Sequence, residues 1–223
     1  MSSPAAVGAR ARAQSGPAAR RRGPSPSAGQ PRRRRALRTL LGLALGVGAI
    51  ALIAPRLEHA VHELALPLQD AGTIRQQAAE KHLDPALIAA VIYAETKFDP
   101  RPSSAGAQGL MQILPSTAEF LAHLSGGVGF QTEDLAHPAV NIAYGSYYLR
   151  YLLDHYHGNE MLAVAAYNAG LTNVDEWVAR ARARGEELTA SAIPFPQTRE
   201  YVRRVLDAQR DYRATYARQL GLG

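Results

Sequence analysis

Cysteine is absent from the 223-residue chain. That excludes a disulfide framework, a thiolate metal site and a cysteine nucleophile. The seven histidines show no metal-ligand spacing; His155 and His157 stand two apart and would lie on different faces of a helix. No run alternates apolar and polar residues well enough to be a strand, which leaves an all-α chain. Acidic residues are missing from the first 38 positions, where ten arginines lie between Arg10 and Arg38. The formal charge of +6 therefore belongs to this tail, and the remainder holds 15 basic against 19 acidic residues. The folded part is mildly acidic and has no basic stripe, so nucleic acid is excluded as its ligand.

What is present divides the chain into segments. Residues 1–35, rich in Pro, Gly, Ala, Ser and Arg, have almost no large apolar side chains to offset the entropy of ordering. A disordered, basic, cytoplasmic tail is expected there. Residues 36–55 contain the uncharged run TLLGLALGVGAIALIA after the arginine cluster, approaching the roughly 20 residues that span hydrocarbon. This predicts a single transmembrane helix, and the arginines before it place the following domain outside the cytoplasm. Ala49-Ile50-Ala51 also resembles a small-residue cleavage site, so export after signal cleavage is the alternative. Residues 56–67 read as a linker, and 68–218 as a helical domain large enough to bury its own core; hydrophobic residues make up 47% of the chain.

Within that domain Asp84-Pro85 forms an N-cap and N1 pair ahead of the apolar helix PALIAAVIYAET. Pro100, Pro102, two serines and Gly106 make residues 98–108 a loop. A short helix follows Pro115, a long one runs from Pro138 to about Tyr156, and another spans Asn159 to Asn168 before Gly170. Thr172 or Asn173 is expected to cap the next helix, and a last one follows IPFPQ, with Tyr201, Val202, Val205 and Leu206 on its apolar face.

Glu95 is the first candidate for chemistry. It ends an apolar helix after Leu87, Ile88, Val91 and Ile92. Poor solvation there raises a carboxyl pKa, and an acid still protonated near neutrality is what protonation of a glycosidic oxygen requires. A solvated helix-end glutamate is the plain alternative. Reading onward, the blocks are ETKFDPRPSSAGAQGLMQILPSTA, NIAYGSYYLRYLL, AVAAYNAG and IPFPQTREYVRRVL. In this order they resemble the catalytic domain of the soluble lytic transglycosylase family, which shares a lysozyme-like fold with goose-type lysozyme.

The resemblance implies a role for each matched residue. Glu95 corresponds to the catalytic acid, Gln112 to a residue lining the sugar cleft, and Met111 to core or cleft wall. Tyr167 and Asn168 correspond to the pair facing the acid, and Tyr201 to the late tyrosine closing the site. A cleft serine corresponds to Ser104 counting forward from Glu95 and to Ser103 counting back from GLMQ. Amide, hydroxyl and aromatic groups suit a sugar ligand. Read on their own, Tyr167 could equally be a packing residue, Asn168 a helix stop and Gln112 a satisfied buried amide. Gly106 and Gly109 are expected at tight turns. Thr96 replaces a usual serine, and Gln197 stands where glutamate is frequent.

The implied reaction uses one carboxyl and no cofactor or metal. The acid protonates the oxygen joining N-acetylmuramic acid to N-acetylglucosamine in peptidoglycan, then takes a proton from the C6 hydroxyl as a 1,6-anhydro ring closes. Two other readings are a hydrolase of the goose-lysozyme kind, helped by Asp99, and a membrane-tethered glycan-binding module without activity. Asp99 before Pro100 also suits a turn. Nucleic-acid binding by the tail ranks last, because the tail is expected on the opposite side of the membrane from the domain.

Overall fold

The computed structural model describes residues 66–100, 103–126 and 129–222. All belong to the second of two units, residues 55–223. The expected tail, the expected membrane helix and all of the linker up to residue 65 lie outside the described residues. Among the described residues no helix is long and apolar enough to cross a membrane.

The described residues form seven α-helices: α1 (Ala71–Lys81), α2 (Pro85–Thr96), α3 (Pro115–Ser125), α4 (Pro138–His155), α5 (Glu160–Ala169), α6 (Leu171–Arg182) and α7 (Pro196–Thr215). Two short 3-10 turns, Thr132–Ala136 and Ala190–Ala192, join them. Among the described residues extended pairing is limited to one bridge, Gln108 with Ile113. Four helices begin with proline in the first turn: α2, α3, α4 and α7. Proline has no N–H to leave unsatisfied at that position, and its fixed φ is already helical.

The centre of the domain is α2. Seven successive residues, Ala86 to Ile92, are buried, so the helix is apolar all round rather than on one stripe. It lies along α7, while α5 packs against α4, α6 and α7, and α1 against α2 and α4. Asp84 starts α2 by accepting from the Ala86 N–H at 3.0 Å. Its other oxygen accepts from Gln209 Nε2 at 2.7 Å and pairs with Arg213 at 2.6 Å, both on α7. Further along α7 the hydroxyls of Tyr212 and Tyr216 donate to the carbonyls of Pro67 and Leu66, fixing the chain as it enters the domain.

Most helix starts fall where the residue types place them. Asn159 caps α5 by accepting from the Leu162 N–H at 3.1 Å. The start of α6 differs from expectation. Neither Thr172 nor Asn173 caps it; Gly170 does, at φ 83° and ψ 150°, so α5 and α6 are separated by one residue. Only glycine adopts that geometry without cost. Asn173 instead donates to the Ala169 carbonyl at 2.7 Å, satisfying the end of α5. The last helix also starts earlier than expected, at Pro196 inside IPFPQ.

Candidate active site

Glu95 sits one residue from the end of α2, where the apolar helix reaches the surface. Directly after it the backbone reverses through two successive left-handed residues, Lys97 (φ 52°) and Phe98 (φ 62°). Such geometry is costly for non-glycine residues and persists only where packing imposes it. Here the imposed contact is the Phe98 ring, which is buried and lies 6.3 Å from the Tyr212 ring.

Across from this turn the GLMQ segment forms a tight loop. It is closed by two hydrogen bonds of 2.9 Å between Gln108 and Ile113, one in each direction. Three side chains from outside clamp it. Asn141 of α4, fully buried, accepts from the Met111 N–H at 2.7 Å and donates to the carbonyls of Gln108 at 2.8 Å and Leu135 at 3.0 Å. Tyr167 of α5 donates to the Met111 carbonyl at 2.9 Å. Thr96 donates to the Leu110 carbonyl at 2.8 Å, tying the end of α2 to the loop. Two glycines make the fit possible. A Cβ on Gly109 would lie 2.1 Å from the Asn141 amide nitrogen, and one on Gly145 would lie 2.3 Å from Met111 Sδ. Both distances are shorter than atomic contact allows, and Gly109 also has φ 70°. Gln112, at φ 49°, closes the loop with its own side-chain amide donating to the Gly109 carbonyl at 2.9 Å.

Between turn and loop opens a cavity of about 530 Å³ lined by Glu95, Thr96, Lys97, Asp99, Gln112 and Arg204, with Ala94 beside them. The half-buried Glu95 carboxyl accepts from the Tyr201 hydroxyl at 2.7 Å. Burial pushes its pKa up to about 7, although the Tyr201 hydrogen bond and the Arg204 charge both favour the ionised form. Near neutral pH the group is therefore divided between acid and carboxylate. Burial and the Glu95 charge hold the Tyr201 and Tyr167 phenols well above their ordinary range, so both remain donors.

The structure distributes the sequence candidates unevenly. Glu95 and Gln112 share the cavity, Tyr201 touches the carboxyl, and Tyr167 supports the loop from below. Met111 is fully buried against Gly145, so its side chain is core and offers no surface to a ligand. Asn168 accepts from the buried Thr198 hydroxyl at 2.8 Å, a strut between α5 and the first turn of α7. Ser103 lines a neighbouring cavity of about 500 Å³ with Gly106 and Gln108, and its hydroxyl accepts from the Ala105 N–H at 3.1 Å. Ser104 is exposed on the turn. Asp99 donates its N–H to the Thr96 carbonyl at 3.0 Å, within the turn that brings it to the cavity.

Sequence reading missed two contributors. Arg204 lies one turn beyond Tyr201 on the same face of α7, a spacing that could have marked it. Asn141 was visible as a lone amide in the apolar face of a helix, the pattern of a buried polar clamp.

A half-buried acid at a helix end thus faces an amide-bearing loop across an open cavity. Comparison with known proteins gives the family. Residues 72–189, more than half of the chain, match the Transglycosylase SLT domain, and the chain belongs to that family. It is 42% identical over 121 residues to a putative soluble lytic murein transglycosylase of Haemophilus influenzae, covering 52% of this chain and 20% of that protein. It is 31% identical over 154 residues to the soluble lytic murein transglycosylase of Escherichia coli K12, covering 68% of this chain and 24% of that one. The crystal structure of the 70 kDa soluble lytic transglycosylase of Escherichia coli superposes with a TM-score of 0.65 at 30% identity, over 72% of this chain and 26% of that one. The expected all-helical class and family are thereby borne out. The chain spans a quarter or less of the length of these two curated relatives.

Proposed function

We propose that the domain is a peptidoglycan lytic transglycosylase. It breaks the β-1,4 bond between N-acetylmuramic acid and N-acetylglucosamine and leaves 1,6-anhydro ends, with Glu95 as both acid and base. The observation that carries this reading is the Glu95 carboxyl, hydrogen-bonded to Tyr201 and held at a pKa of about 7 beside an open cavity. A carboxyl with this affinity gives up its proton to the leaving oxygen and recovers one from the C6 hydroxyl without a second carboxylate. Tyr201 donates to the carboxylate that forms between the two steps, and Arg204 supplies positive charge near it. The substrate acetamido group assists at the anomeric carbon, and water is not consumed. Gln112, Tyr167, Asn168 and the serines at 103 and 104 are the proposed sugar-binding and site-supporting groups.

The cell address follows from the same reading. Peptidoglycan lies outside the cytoplasm, so the domain acts there, held by a single helix over residues 36–55 with the arginine-rich tail inside. Cleavage of that segment as a signal would release the domain instead.

The test is mass spectrometry of muropeptides released from purified peptidoglycan by the full-length chain. Anhydro ends are expected. Ordinary reducing ends would favour the hydrolase reading, which Asp99 supports by its place on the cavity wall. No release by the wild-type protein would leave the glycan-binding module.

A further inference from the structure

A cavity of about 490 Å³ opens where the ends of α1 and α3 meet the middle of α4, lined by Lys81, Ser125, Ala143, Tyr144 and Tyr147. It lies away from the site of Glu95. Asn141 and Gly145 of α4 turn toward the GLMQ loop. Tyr147, two residues past Gly145, stands about 200° round the helix from it. The two cavities are of similar size and share no lining residue.

The lining is aromatic and rich in donors, and none of its five residues is acidic. Phe130 backs the Tyr144 ring, with centroids 4.5 Å apart and a tilt of 32°, and so holds it in place. Tyr147 is half-buried; among the described residues its hydroxyl has no hydrogen-bond partner and its ring no aromatic neighbour. Lys81 is fixed at the end of α1: its ammonium donates to the Gln77 amide oxygen and lies 3.5 Å from the Glu80 carboxylate. One turn beyond Tyr147, Tyr151 meets the Phe120 ring of α3 edge-on at 5.4 Å, and Phe120 is 44% exposed. The aromatic lining therefore extends from the cavity along the seam between α3 and α4.

These groups suit one class of ligand. A sugar ring has an apolar C–H face that packs on an aromatic ring, and hydroxyls and amides at its edge that need polar partners. The peptide carboxylates of peptidoglycan supply an anion for Lys81. A phosphate-bearing surface calls for a cluster of cations, whereas here a single lysine stands beside a glutamate. An apolar protein segment would leave hydroxyls and an ammonium unpaired beneath it.

We propose that this cavity and the seam beyond it form a second glycan-binding site, which holds one stretch of peptidoglycan while another enters the Glu95 cavity. The proposal rests on the glycan-cleaving reading above and adds a grip on the polymer outside the reacting cleft. Its role is retention, so it acts on polymer and not on fragments that fill the cleft alone.

Pelleting of the full-length chain with purified insoluble peptidoglycan tests it, in the Glu95→Gln background so that the polymer stays intact. Tyr147→Ala should weaken retention about fivefold, the worth of one aromatic contact, and Tyr147→Phe, which keeps the ring, should weaken it by about twofold or less. With Glu95 restored, Tyr147→Ala should raise KM for the polymer by a similar factor. Its kcat/KM on a soluble, peptide-free tetrasaccharide should stay within about twofold of wild type, which also reports that the variant is folded. Retention unchanged by Tyr147→Ala, or an equal loss on polymer and tetrasaccharide, overturns the proposal. Absence of anhydro products from the wild type, with Tyr147-dependent retention intact, defeats the cleavage reading alone.

Discussion

Two carboxylates sit at opposite ends of α2, and both meet the same partner helix, α7. Asp84, at the start, accepts from the Ala86 N–H and Gln209 and pairs with Arg213. Glu95, one residue from the other end, accepts one hydrogen bond from α7, from Tyr201, and faces a cavity. The first has its hydrogen-bonding capacity filled by fixed donors and serves the fold. The second is desolvated without full compensation, and its proton affinity rises to about 7. One helix thus carries a carboxylate tied into the fold and another that faces the cavity, and α7 supplies two partners to the first and one hydrogen bond to the second.

The largest effect should come from removing the chemical one. Glu95→Gln is expected to lower glycan cleavage by about 10²–10⁴-fold, the usual worth of a positioned proton donor, as read by muropeptide release. Stability should move the other way. The Glu95 pKa is raised from 4.5 to about 7 on folding, so the folded state holds the extra proton between these values. Stability from this group is then fully present at low pH and is lost as pH rises toward 7. At pH 8 Glu95→Gln should be more stable than the wild type by roughly 1–3 kcal/mol, and at pH 4 by little, in paired denaturant titrations.

Next in size is the clamp on the loop. Asn141→Ala leaves the Met111 N–H and two carbonyls short of their partners, a loss of about 2–4 kcal/mol in thermal or denaturant unfolding. Asp84→Ala, the structural counterpart of the glutamate change, should cost about 2 kcal/mol through the lost cap and the lost tie to α7. Cleavage per folded molecule should stay within about twofold of wild type, because Asp84 lies at the other end of the helix from the cavity. A large loss of turnover in folded Asp84→Ala protein would erase the distinction between the two carboxylates. The smallest change is Tyr201→Phe. Without its donor Glu95 should hold its proton to still higher pH, so the alkaline limb of the pH–rate profile moves upward. The rate at the optimum should fall by about tenfold, the worth of a hydrogen bond to a charged group.

Much of this is legible in the residues alone. Prolines at 85, 115, 138 and 196 mark helix starts because their chemistry suits one position in a helix, and all four stand there. Glu95 stood out because a carboxylate after an unbroken apolar helix has little water around it. The start of α6 was not legible: Thr172 and Asn173 are good caps by type, but the choice was made by the backbone angle at Gly170. Thr96 looked like a neutral replacement, and its bridge to Leu110 depends on a loop 14 residues away. Arg204 carried only its spacing from Tyr201, and its place on the cavity wall follows from the way α7 lies along α2. Ser103 and Ser104 differed by one residue in register, and the structure puts them in different surroundings, one on a cavity wall and one on an exposed turn.

The Asn141 clamp has a thermal consequence. The loop bearing Gln112 is secured from the interior by a fully buried amide and by a methionine wedged against Gly145. Warming cannot melt it ahead of the helices. Catalysis and cooperative unfolding should vanish at one temperature, with residual turnover tracking the calorimetric transition and no inactive but folded plateau before it.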